Sequence, residues 1–132
     1  MNRVLDSHAL MLFLEKEKGY EKIQKFLFSA VEKDEPLLMT SVDYGDFYTV
    51  VLRECTKEKV EELELTFNNL PIRVVDIDAI LSREAAKLRA EKKISLANSF
   101  AAALTKLRRG ELITADKEFK NVESDIKISW VI

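Results

Sequence analysis

The chain has 132 residues, a single-domain length that can bury roughly two-thirds of its unfolded surface. With 47% apolar and 33% charged residues it is neither disordered nor membrane-spanning, and a net charge of −2 leaves only a local patch for any nucleic-acid binding. One cysteine, Cys55, excludes an internal disulfide and suits a reducing cytosol; with a single histidine, His8, the usual zinc ligand set is missing.

From the start, "MNRVLDSHAL" has no long apolar segment after its Arg, so no secretion signal and a cytoplasmic location are expected. "RVL" (3–5) reads as a short buried strand ending at Asp6. Ser7 then caps a helix, "HALMLFLEKEKG", with Gly19 as its stop. "YEKIQKFLFSAVEKD" places Ile23, Phe26, Leu27, Ala30 and Val31 at helical spacing. After Pro36, "LLMT" (37–40) is a second strand, and Ser41 caps the helix "VDYGDFYTVVLREC". "KEKVEELELTFNNL" is amphipathic and stops at Pro71; "IRVVD" (72–76) is a third strand. Asp78 caps "AILSREAAKLRAEK", and a further helix runs from Ser95 to Gly110, carrying Asn98 near its start. "ELIT" (111–114) is a fourth strand with Asp116 just beyond it, and "KISWVI" closes the chain as an edge strand. With three Gly, two Pro, no linker and no repeat, the sequence predicts one α/β domain over 1–132. Short apolar strands alternating with amphipathic helices imply a mainly parallel sheet covered on both faces.

Ligands of open parallel sheets bind beyond the carboxyl ends of the strands. Asp6 and Asp116 stand at two such ends. If those strands are neighbours, the carboxylates converge and require a cation, for which oxygen ligands and water suit Mg²⁺ or Mn²⁺. The plainer reading is that each Asp caps the turn that follows it. Asp46 sits on a helix beside apolar Phe47, Val50 and Val51, and an acid next to a buried face needs a partner. Asp43 reads as first-turn acidity favoured by the helix dipole. His8 and Trp130 read as packing residues, as do Tyr44 and Tyr48 at i, i+4 spacing. Asp78 reads as a cap and not as half of a metal-binding Asp76–Asp78 pair.

Taken together, "VLDSHAL … SVDYGDFY … SLANSFAAAL … LITADKEF" resembles the PIN-domain family, in particular VapC-type toxin ribonucleases. The resemblance covers nearly the whole chain and implies a three-layer α/β/α fold. It implies a site around Mg²⁺ or Mn²⁺ made by Asp6, Asp46, Asn98 and Asp116, with Ser7, Ser41 and Thr114 as supporting polar residues. Two departures stand out. Asp46 is one methylene shorter than the Glu more usual there, and Asn98 replaces an Asp. An amide can ligate through its oxygen but brings no charge, so the set falls from four carboxylates to three and metal binding is expected to be weaker or more selective.

The resemblance further implies metal-dependent cleavage of RNA, a small VapB-like antitoxin and a homodimer. Surplus apolar surface on "LMLFL" and "KFLFSAV" is the expected partner surface. Arg53, Lys106, Arg108, Arg109, Lys117 and Lys120 are candidate contacts to the RNA backbone, each also readable as a solvated helix end. A competing function is a catalytically weak PIN domain serving as an RNA-binding or protein-interaction module, favoured by Asn98. A receiver-like phosphorylation domain would also put Asp at strand ends, but the chain lacks its paired N-terminal acids and its Lys after the last strand.

Overall fold

The computed structural model describes residues Met1–Ile132. Five strands, β1 (Arg3–Leu5), β2 (Leu37–Thr40), β3 (Ile72–Val75), β4 (Glu111–Thr114) and β5 (Lys127–Trp130), form one sheet in the order β3-β2-β1-β4-β5. Every pairing is parallel. Six helices cover the sheet: α1 (Ser7–Leu14), α2 (Tyr20–Lys33), α3 (Ser41–Glu54), α4 (Lys57–Asn69), α5 (Ala79–Glu91) and α6 (Leu96–Leu107). A 3-10 helix, Lys117–Val122, links β4 to β5. None of the helices is long and apolar enough to cross a membrane.

The layers follow from strand alternation. Val4, Leu38 and Leu112 point to one face, where they pack with Leu81, Ala85 and Leu88 of α5 and Ala101–Leu104 of α6. Leu5, Leu37, Met39 and Ile113 point to the other, against α1, α2, α3 and Phe67 of α4. Strands buried on both faces are continuous apolar runs, which is why "LLMT" and "ELIT" were legible. The result is the expected α/β/α arrangement, with a sheet that is wholly parallel. Chain direction across the sheet reverses at β1: β2 and β3 extend one way, β4 and β5 the other. Ligand crevices form at such a switch point, here between the carboxyl ends of β1 and β4.

Three local readings are corrected. Asp6, not Ser7, caps α1, accepting from Ala9 N at 2.8 Å. Thr40, not Ser41, caps α3, accepting from Asp43 N at 3.0 Å. The first helix stops at Leu14 instead of running to Gly19, because "EKEK" offers nothing to bury; Lys16 turns left-handed (φ 53°) and Gly19 (φ 98°) precedes α2.

Gly110 is glycine for want of space: a Cβ there would lie 2.2 Å from the Asn2 carbonyl oxygen, where the chain enters β1. Gly45, in α3, has nothing within 4 Å of the same position. Gly110→Ala is therefore expected to destabilise by about 1–3 kcal/mol in urea unfolding. Gly45→Ala is expected to stabilise by about 0.5–1 kcal/mol, the ordinary helix-interior gain. Equal effects at the two positions would contradict this packing.

Candidate functional site

Because β1 and β4 pair in parallel with Leu5 opposite Ile113, Asp6 and Asp116 emerge side by side at the carboxyl edge. Thr114 joins them. Its hydroxyl donates to Asp6 Oδ2 at 2.5 Å and accepts from the backbone N–H of Asp116 at 3.0 Å. Asp6 is buried, at 2% exposure. Burial pushes its carboxyl up to about 6 and Asp116 adds to the effect, while Thr114, Ala9 and His8 pull the other way. Asp6 and Asp116 both cap the turn that follows, so the capping reading holds alongside the convergence.

α6 supplies the next wall. Ser95 caps it, placing Asn98 in its first turn, with the side chain turned to the 3-10 helix. Asn98 Nδ2 donates to Asp116 Oδ2 at 3.0 Å and to Glu118 Oε1 at 2.9 Å. Both neighbours are acceptors only, so the amide must present its nitrogen. Glu118 Oε1 also accepts from Ser95 N at 2.8 Å, and this bond, aided by Asn98, holds its carboxyl below the usual range. Sequence reasoning missed Glu118. Its signal was its place two residues beyond Asp116, in the turn that Asp116 caps.

The fourth wall is α3, and here the sequence expectation shifts. Asp46 is exposed, one turn further along the helix. The buried acid is Asp43, at 1% exposure. It faces Asp6 and Ser7 because α1 and α3 start from adjacent parallel strands and pack together. Burial, then the Asp6 charge, pushes the Asp43 carboxyl up to about 7, with Ser7 opposing and Asp46 adding to the rise. Its Oδ2 has no hydrogen-bond partner. First-turn acidity does not account for a carboxylate with no access to water.

The basic residues divide. Lys117 and Lys120 are exposed beside Ala115 and Trp130, at the carboxyl edge. Arg108 and Arg109 lie at the opposite edge, where Asn2 Nδ2 donates to the Arg108 carbonyl at the entrance to β1. They precede β4 and the site follows it, so nearness in sequence does not bring them to the acids. Lys106 is ion-paired with Glu84 at 3.1 Å. Arg53 stands in the last turn of α3, roughly 15 Å along the helix from Asp43. A groove that sequence reasoning missed, lined by Arg89, Lys92, Lys93 and Ser95, ends at Glu118.

This arrangement of acids at a parallel switch point can be set beside known proteins. A family model described as the PIN domain matches residues 3–124. The chain belongs to the PIN-domain family. No curated protein matches it. Among solved structures, a DNA-bound VapBC from Salmonella typhimurium superposes with TM-score 0.80 at 14% identity, covering 100% of this chain and 99% of that one. VapBC2 from Rickettsia felis, bound to a promoter DNA fragment, gives 0.77 at 17% identity over 98% of both chains. VapC20 from Mycobacterium tuberculosis, described as a sarcin–ricin loop cleaving toxin, gives 0.63 at 13% identity over 90% of this chain and 93% of its own. At these identities the likeness is one of fold. This PIN domain carries strand-end acids on β1 and β4, an amide on α6 and a buried acid on α3.

Divalent metal fits this donor set. All donors are hard oxygens, and the Asp43 Oδ2 is buried and without a partner. As the side chains stand, no three acidic groups close round a single point. The Asn98 amide hydrogens fill the space between Asp116 and Glu118. Asp6, Asp43 and Asp116 could hold an ion directly and Asp46 through water; Asn98 would join them through its oxygen only if its side chain rotates away from Asp116 and Glu118.

Proposed function

We propose that this PIN domain is a Mg²⁺- or Mn²⁺-dependent endoribonuclease, the cytoplasmic toxin of a VapBC-like type II toxin–antitoxin pair. The observation that carries this reading is the convergence of Asp6 and Asp116 at the β1/β4 switch point, wired together by Thr114. A bound divalent ion supplies Lewis acidity toward the phosphate and lowers the pKa of water. The protein's part is placement. Thr114 fixes the Asp6 carboxylate, and Ser95 with Asn98 fixes Glu118 and Asp116. Lys117 and Lys120 on one side, with Arg89 and Lys93 in the groove on the other, suit contact with the RNA backbone. On the partner side, Phe28 and Val31 of α2 and Leu52 and Leu65 of α3 and α4 are exposed. They suit a second protomer and the apolar segment of an antitoxin. The surplus lies on α2 more than on α1, where Leu10 and Leu12 are buried.

The test is cleavage of structured RNA by antitoxin-free protein in Mn²⁺, with Asp6→Asn and Asp116→Asn as controls. Losing either carboxylate is expected to cost more than about 100-fold, since even outer-shell partners of metal ligands are worth 10–100-fold. A wild-type chain that leaves RNA intact in Mn²⁺ but retards it in a gel supports the second reading, an RNA-binding module. That reading is favoured by the Asn98 amide, which occupies the space between Asp116 and Glu118.

A further inference from the structure

We propose that Asp43 supplies the carboxylate that Asn98 withholds, so that the cation site of this chain is centred on the β1/α3 side, on Asp6 and Asp43. The inference rests on the metal-dependent reading above and names a ligand outside the set that the family resemblance gives, which uses Asp46 on this helix.

Three independent observations converge. The first is position. Thr40 fixes Asp43 N at 3.0 Å, locking the first turn of α3 so that the side chain is buried against Asp6 and Ser7. The second is the absence of an ion-paired cation at these acids. None of the chain's ion pairs involves Asp6, Asp43, Asp46, Asp116 or Glu118. Asp43 Oδ2 has no hydrogen-bond donor either. Asp6 has donors in Thr114 and Ala9, and Asp43 has Ser7, but neither has a cation. Two acids buried together without a cation are unfavourable, whereas a divalent ion turns the same pair into a binding site. The third is charge count. Asp6, Asp46 and Asp116 with Asn98 make three carboxylates, and Asp43 restores four.

The two sides of the pocket then differ in kind. On the α6 side, Asn98 ties Asp116 and Glu118 with neutral N–H groups. On the α3 side no N–H group bridges Asp6 and Asp43: Thr114 and Ala9 hold the one, Ser7 the other, and Asp43 Oδ2 is left for the ion. Asp46, exposed one turn on, faces solvent and suits a water-mediated role.

Mn²⁺ binding measured by calorimetry decides the matter without reference to cleavage. Wild type, Asp43→Asn, Asp46→Asn, Asp6→Asn, and Asp43→Asn combined with Asn98→Asp are compared. Each is first checked for a cooperative metal-free melt, with Asp43→Ser as the second variant at that position. Asp43→Asn is expected to weaken Mn²⁺ by at least about 10-fold, more than Asp46→Asn does, and Asn98→Asp is expected to recover part of the loss. If Asp43→Asn and Asp43→Ser bind Mn²⁺ as wild type does while Asp6→Asn does not, the metal site stands and the role given to Asp43 is wrong. If wild type itself takes up no Mn²⁺ at millimolar concentration, both this inference and the metal-dependent reading fail.

Discussion

Asn98→Asp is expected to destabilise the metal-free protein by about 2–4 kcal/mol and to make its melting temperature strongly dependent on divalent metal. In the wild type the Asn98 amide gives two N–H groups to two carboxylates, at 3.0 and 2.9 Å. Hydrogen bonds to charged acceptors contribute about 1.5–3 kcal/mol each where shielded from water, and less in a half-buried setting such as this one. The substitution removes both and sets a third carboxylate against Asp116 and Glu118. For a chain of this length the loss corresponds to a fall of roughly 5–15 °C in Tm. Mn²⁺ reverses it: an ion at a hundred times its Kd adds about 2.7 kcal/mol to the folded state. Melting curves in EDTA and in Mn²⁺ read both effects. A variant as stable as wild type in EDTA would show that the Asn98 bonds contribute nothing. A variant that melts low in both conditions would show that the added carboxylate does not complete a cation site. Asn98 thus has two consequences in one residue. It steadies the acid cluster when no metal is bound, and it takes one charge from the set that would hold an ion.

How much of this was legible in the sequence depends on whether local pattern or packing decides each feature. β1, β2 and β4 were legible to the residue because strands buried on both faces leave an uninterrupted apolar run. Asp6 and Asp116 were legible because a strand end is a local feature, and parallel order then makes two ends one place. Their convergence still depended on β1 pairing with β4, which alternation alone does not specify. Asp43 was not legible. Acids are common in a first helical turn, and only the side-by-side departure of α1 and α3 from β1 and β2 turns this one inward against Asp6. Asp46 drew attention through its apolar neighbours, yet Phe47 is the residue that packs inward and Asp46 is left in solvent. The basic run Lys106–Arg109 misled for the same reason in reverse. It adjoins β4 in sequence, but at the strand's start, a whole strand length from the acids.

In the metal-free protein, Asp43→Asn is expected to raise stability at pH 8 while changing it little near pH 4. Burial holds the folded-state carboxyls of Asp43 and Asp6 at about 7 and about 6, both above the ordinary aspartate value of 3.8. Between these limits the folded chain holds protons that the unfolded chain has released. Stability from this source is therefore full below about pH 4 and is lost as pH rises through 6 and 7. The two acids face each other and titrate as a pair, with Ser7 and His8 favouring charge and Asp46 and Asp116 opposing it. The loss across the window is on the order of 4 kcal/mol for Asp43 and about 3 kcal/mol for Asp6. Asparagine cannot charge, so the variant escapes most of it, and the difference between variant and wild type isolates this pair from every other group that titrates on acidification. Mn²⁺ changes the sign. A cation binds the deprotonated pair, so with the ion present wild type gains stability as pH rises from 5 to 8, and the advantage of Asp43→Asn disappears or inverts. Urea unfolding of both proteins at pH 4, 6 and 8, with EDTA or Mn²⁺, measures each term. If the variant and wild type run parallel across pH in EDTA, Asp43 carries no buried charge. If they remain parallel when Mn²⁺ is added, it holds no ion.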